Sequence, residues 1–272
     1  MRSGFSAGIG ARSSLPALAA LILSLAGVAT PALAQRATPV QAQAPANLGD
    51  LLFGKGPGED RAGAMPRLAR FRADTGDTFV FEVAAGGPAY LKYDDSGEVW
   101  ALRPTNGPRG DVIYKNDVGD AMARTTRLGG LTVFTQDRPS GIAAAFDGGA
   151  QDLHNLLVAG PVAMFKVLVQ ASFRATHTAG HKVEFEAKEL DPGTEAIFAD
   201  AANLAAQAFV RVDHHGRAGH DALQHCDRVA FVNGRPPGVR LYGDELRITV
   251  TPDLGFAGRP SSQRISQVLF RR

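Results

Sequence analysis

From residue 78 to residue 146 short apolar runs alternate with turn-forming polar residues. The runs at 79–83, 89–93, 98–102, 111–115 and 131–135 are rich in aromatic and β-branched residues and predict strands of about five residues. Asp95, Gly97, Glu98 and Ala101 recur 22 positions later as Asp117, Gly119, Asp120 and Ala123. Each set is an Asp-x-Gly-acid turn between extended runs, which two successive hairpins of an antiparallel meander produce.

The second half mixes periods. Residues 152–174 read as helix in two pieces, because Pro161 suits a first turn and not an interior. Val162, Phe165, Val169 and Phe173 then share one face. Residues 182–188 alternate, with Val183, Phe185 and Ala187 on one side and Lys182, Glu184, Glu186 and Lys188 on the other, the mark of a half-buried strand. Pro192 and Gly193 turn the chain, Thr194 caps, and residues 195–208 form an Ala-rich helix burying Ile197, Phe198, Ala201, Leu204 and Ala205. Two or three strands follow, clearest where Leu246, Ile248 and Val250 alternate with Glu245, Arg247, Thr249 and Thr251. The order predicts an α+β fold, an N-terminal antiparallel β-meander followed by a mixed helix and strand region.

Residues 1–34 carry the pattern of a secretory signal peptide. Arg2 and Arg12 make a basic start, residues 15–28 an apolar stretch short for a membrane span, and Ala32, Leu33 and Ala34 the small-x-small pattern of a cleavage site. Cleavage is expected after Ala34, with a periplasmic or secreted destination. Residues 35–66, rich in Ala, Gln, Gly and Pro with Phe53 as their one aromatic, are expected to form a tether. The regions 67–150 and 151–272 are expected to pack as one domain. No later apolar run is long and unbroken enough to span a bilayer; the closest, 156–169, is interrupted by Gly160, Pro161 and Lys166.

Export changes the meaning of charge and cysteine content. Removing Arg2 and Arg12 leaves 27 basic residues against 27 acidic ones, so the mature chain gives no electrostatic reason to expect nucleic acid as a partner. The lone cysteine, Cys226, excludes an intrachain disulfide, so stability must come from the core.

Candidate chemistry is sparse. The nucleophile-elbow pattern Gly4-Phe5-Ser6-Ala7-Gly8 lies inside the segment expected to be removed, and no phosphate loop, dinucleotide fingerprint, HExxH or paired CxxC follows. His214, His215, His220, Asp221 and His225, with Asp213, Cys226 and Asp227 beside them, offer donors of the kind zinc accepts. A helix over 219–228 would put Asp221 and His225 on one face; a solvated loop explains the cluster equally. Arg109, Arg127 and Arg138 near the meander's ends are candidates for a small anionic ligand, or for pairing with Asp111, Asp117 and Asp137. Arg109-Gly110-Asp111 matches an adhesion tripeptide but is read more simply as a strand opening. Acidic turns at Asp94, Asp95 and Glu98 and at Asp117 and Asp120 lack the ligand count of a dedicated calcium site.

The segments Gly107-Pro108-Arg109-Gly110-Asp111-Val112-Ile113-Tyr114, Thr126-Arg127-Leu128-Gly129-Gly130-Leu131-Thr132, Arg138-Pro139-x-Gly141 and Gly258-Arg259-Pro260-Ser261 together resemble an exported alphaproteobacterial family catalogued only as a domain of unknown function. The resemblance implies a periplasmic destination and brings no activity, cofactor or catalytic residue. The expectation is a non-catalytic binding or envelope-associated protein whose partner is an envelope component or a small anionic ligand. A metal-dependent hydrolase built on the His/Asp/Cys cluster at 213–227, with zinc as the possible cofactor, is the alternative, and a structural component of the wall or outer membrane a third class.

Overall fold

The computed structural model describes residues 65–154, 156, 160–188 and 190–271. The expected signal peptide and nearly all of the expected tether lie outside these residues. All of the described residues fall in one compact unit.

Eight strands, β1 (Leu68–Ala73), β2 (Thr78–Val83), β3 (Ala89–Tyr93), β4 (Trp100–Asn106), β5 (Val112–Lys115), β6 (Ala121–Thr125), β7 (Leu131–Val133) and β8 (Ile142–Gly148), form a closed barrel in sequence order. The expected open meander is therefore corrected to a barrel, while the α+β class stands. The repeat at 95–101 and 117–123 is the β3–β4 and β5–β6 hairpins. Closure comes from antiparallel pairing of β1 with β8, which sets Phe71 opposite Phe146 across a bulge at Arg70/Phe71. Both closing strands carry weak strand signals: β1 follows a Pro- and Gly-rich stretch, and β8 has three alanines in seven residues. A sheet that shuts on itself has no edge strand to protect.

Small and large residues alternate inside the barrel. Ala69, Ala73, Ala89 and Ala123 leave room for Phe71, Phe79, Phe81, Trp100 and Tyr114, which fill a narrow eight-strand interior. Outward residues of β1 are paired in solvent, Arg70 with Asp94 at 2.5 Å and Arg72 with Asp147 at 2.9 Å.

The second layer is a four-stranded sheet ordered β11 (Gly238–Tyr242), β12 (Glu245–Val250), β10 (Arg228–Asn233), β9 (Glu184–Ala187). β10 runs parallel to both β9 and β12, and β11 is antiparallel to β12. Helices α1 (Pro161–Ala179), α2 (Glu195–Asp213), α3 (Arg217–Leu223) and α4 (Ser262–Phe270) complete this half. The Ala-rich helix expected at 195–208 is α2, and all five of its expected core residues are buried. In α1 the face carrying Val162, Phe165 and Phe173 points outward, these being 72%, 66% and 70% exposed, while a stripe of Met164, Leu168, Ala171, Ala175 and Ala179 is buried. The physical reason is close approach, since a row of alanines on α1 meets the alanines of α2 without bulky side chains between the axes. Gly219 of α3 sits where a Cβ would lie 1.8 Å from the Val212 carbonyl oxygen, so this tight joint requires glycine.

The two halves share a core. Tyr90 and Val99 of the barrel's outer wall are buried in the same cluster as α1, α2 and the second sheet. No helix among the described residues is long and apolar enough to cross a membrane.

Truncating Phe71, 3% exposed and stacked on Phe79 at 5.9 Å, removes the aromatic that faces the closing strand. Phe71→Ala is expected to cost about 3–5 kcal/mol in urea unfolding, the range for a buried aromatic. A cost below about 1 kcal/mol would show that closure does not rest on this contact.

Candidate functional site

In an up-and-down barrel every second turn lies at the same end. The β1–β2, β3–β4, β5–β6 and β7–β8 connections therefore gather at one mouth, and helices α2 and α4 reach over it. Between them lies a cavity of about 730 Å³, within the usual size for a small-molecule site. Asp77, Asp95, Asp120 and Asp137 line it, one from each turn, together with Trp100, Tyr93, Met122 and Phe134 from the barrel. Arg211 of α2 and Gln263 of α4 complete the wall.

The four carboxylates are not neutralised by one another's surroundings. Among the described residues none of the four makes an ion pair within 4.0 Å. Asp77 accepts from the Thr75 hydroxyl at 2.7 Å and Asp120 from the Gln263 amide at 2.6 Å. Two polar atoms of the lining, Tyr93 Oη and Arg211 Nε, are buried with no hydrogen-bond partner among the described residues. Burial, and then the Asp77 and Asp95 carboxylates, push the Tyr93 phenol up to about 12, so it remains a neutral donor at ordinary pH.

Arg211 is positioned by the wall behind it. Its guanidinium lies 5.8 Å from the Trp100 ring centre and 3.9 Å from Glu98 Oε2. Glu98, fully buried in the β3–β4 turn, accepts from the Ser262 backbone N–H at 3.0 Å and its hydroxyl at 2.5 Å, at the start of α4. Burial pushes the Glu98 carboxyl up, against the opposing pull of the Ser262 bonds and the Arg259 and Arg211 charges. The β5–β6 turn holds the same helix end: Asp117 accepts from Ser261 N–H at 2.9 Å and its hydroxyl at 2.6 Å, and Asn116 donates to Gln263 at 2.9 Å. Carboxylates at a helix N-terminus meet the positive end of its dipole.

The arginines proposed from sequence do not line this cavity. Arg109 and Arg127 occupy turns at the opposite end of the barrel, where the Arg127 stem lies over Gly110, while Arg138 sits in the β7–β8 loop. Their suggested partners are otherwise engaged: Asp111 lies 3.7 Å from Arg124, Asp117 holds Ser261, and Asp137 lines the cavity. The adhesion-like tripeptide is the turn between β4 and β5, with Arg109 at φ 58°.

The histidine-rich segment spans the end of α2, the whole of α3 and the start of the loop after it. His214 caps α2, His215 packs on Phe270 at 5.0 Å, His220 lies 3.2 Å from the Gln224 amide, and Asp221 is 4.0 Å from Arg217. His225 follows α3, and Cys226 is buried, its thiol pushed up to about 12 by desolvation. The three side chains that do bring metal-binding atoms within 4.8 Å of one another, among the described residues, are Glu82, Asp152 and His154. Sequence reading passed over them because Glu82 is 70 positions from Asp152; the Asp-x-His spacing was the one local signal.

A family model described as a domain of unknown function, DUF4908, matches residues 47–269. The chain belongs to the DUF4908 family. No curated protein and no solved structure matches it. The DUF4908 match covers the whole barrel and all but the last residue of α4, so the cavity is built from family sequence throughout.

A phenol whose folded pKa is raised above its unfolded value stabilises the fold fully below about 10 and loses that contribution as pH rises through about 12. Absorbance titration near the phenolate band is expected to show a tyrosine ionising near pH 12 that is missing from Tyr93→Phe. Loss of only an ordinary tyrosine near pH 10 would contradict the described burial.

Proposed function

We propose that the mature protein is a non-catalytic binding protein of the bacterial envelope, whose barrel mouth takes a small organic cation with an apolar body. The observation that carries this reading is the cavity lined by four aspartates, none of them ion-paired among the described residues, beside Trp100, Tyr93 and Phe134. An ammonium or guanidinium group supplies the charge those carboxylates lack. Each charge-assisted hydrogen bond would contribute about 1.5–3 kcal/mol and a cation over an aromatic face about 0.5–2 kcal/mol. Arg109 and Arg127 lie at the opposite end of the barrel, and the mouth sets four aspartates against the single lining arginine, Arg211, a balance that favours a cationic ligand.

Binding is favoured by the lining itself, whose carboxylates and aromatic rings are groups that hold an organic cation. Cys226 is buried elsewhere, and its raised pKa keeps it a thiol. Export rests on the basic, apolar and small-x-small pattern of residues 1–34, which also suits a fold without disulfides only if its core suffices. Two hydrophobic clusters sharing the barrel wall supply such a core.

Trp100 is the only tryptophan and lines the cavity, so the protein's tryptophan fluorescence comes from a residue of the site. Protein recovered from the periplasmic fraction is expected to begin at Gln35 and to change emission on titration with choline, spermidine or arginine amide. Asp95→Asn and Asp137→Asn should each weaken that response about tenfold, equivalent to about 1.4 kcal/mol. Emission that responds to acetate or phosphate but to none of the amines would overturn the ligand class, and a precursor retained in the cytoplasm would overturn export.

A further inference from the structure

Outside the cavity, one group of side chains brings three ligand atoms within 4.8 Å of one another. Glu82 projects from the outer wall of β2, and Asp152 and His154 come from the connection between β8 and α1. His154 Nδ1 lies 2.9 Å from Glu82 Oε1 and 2.6 Å from Asp152 Oδ1. Two carboxylates thus share one ring nitrogen, which carries at most one proton.

We propose that Glu82, Asp152 and His154 form a binding site for a divalent transition metal of the zinc type. Glu82 is 9% exposed, and no lysine or arginine among the described residues pairs with it within 4.0 Å. A nearly buried carboxylate with one shared imidazole as its counterpart is under-compensated, whereas a dication coordinated by all three groups satisfies both charges at once. The donor set sorts the metals. One imidazole nitrogen with two carboxylate oxygens suits zinc and its first-row neighbours, while calcium and magnesium prefer oxygen alone.

Each ligand is also held from behind, as metal ligands require. The Leu153 backbone N–H donates to Glu82 Oε2 at 3.1 Å, and the His154 backbone N–H donates to Asp152 Oδ1 at 2.6 Å. Tyr90 meets the His154 ring edge-on at 4.6 Å and fixes its plane. Three protein ligands leave a fourth tetrahedral position for water. A metal here ties the segment leading to α1 onto the barrel wall, beside Tyr90, which belongs to the core of the other half. Its binding therefore stabilises the joint between the two halves by mass action.

The test uses cobalt(II), whose visible bands report tetrahedral coordination, on untagged, chelator-dialysed mature protein. Wild type is expected to bind one equivalent with a visible spectrum that zinc displaces, and zinc is expected to raise the melting temperature. His154→Ala should lose the spectrum, and Asp152→Asn should weaken binding by about a hundredfold or more, beyond the effect of losing a supporting group. Asp152 is exposed, so this variant decides the matter if His154→Ala fails to fold. A variant with His214, His215, His220 and His225 all changed to Ala should keep the spectrum. Absence of stoichiometric binding in wild type, persistence of the spectrum in Asp152→Asn at unchanged affinity, or its loss in the fourfold variant would each overturn the proposal.

Discussion

A buried carboxylate, Glu98, joins the two halves of this protein. It sits fully inside, at the turn between β3 and β4, and burying such a charge is costly unless its oxygens are satisfied. Ser262 supplies a backbone N–H and a hydroxyl, and Arg259 and Arg211 supply positive charge nearby. Arg259 is itself 5% exposed; it pairs with Asp200 of α2 and donates to the Val99 carbonyl at 2.9 Å. One barrel turn, the start of α4 and the middle of α2 are thereby locked into one register. Removing Glu98 strands the buried Ser262 N–H and hydroxyl, and removing the Ser262 hydroxyl leaves a buried carboxylate oxygen short of a donor, which is why this pair tolerates little change.

The cavity is a consequence of that lock. Arg211 and Gln263 reach the barrel mouth because α2 and α4 are pinned there, and the aspartates come from turns whose spacing the barrel dictates. Two of those turns do double duty. Glu98 and Asp117 hold the start of α4, Asp95 lines the cavity, and Asp120 does both, lining the cavity and accepting from Gln263 of α4. The same hairpins thus supply both the joint and the acidic lining.

Local patterns were legible in the sequence and long-range pairings were not. The alternation at 182–188 and 245–251 and the Ala-rich helix at 195 became β9, β12 and α2, because each signal is contained within a few residues. Barrel closure depends on β1 meeting β8, and Ala-rich β8 carries no strand signature of its own. The apolar face of α1 misled for a related reason: a 3.6-residue period identifies a stripe, but here the alanine stripe packs and the bulkier one is exposed. Charge clusters were the poorest guides. Histidines close in sequence between 214 and 225 engage separate neighbours, whereas Glu82 and His154, distant in sequence, come within 2.9 Å. The Asp-x-Gly-acid repeat did mark the hairpins, yet nothing in it distinguished the acid that binds a helix from the acid that lines a cavity.

The dependence of the fold on the Glu98 joint is tested most directly by a double-mutant cycle on Glu98→Ala and Ser262→Ala, read by urea unfolding. Breaking a buried, hydrogen-bonded charge is expected to cost about 3–5 kcal/mol for Glu98→Ala. The double variant should then fall short of the sum of the single costs by about 1 kcal/mol or more. Additivity within about 0.5 kcal/mol would show that the two residues act independently and would contradict the account.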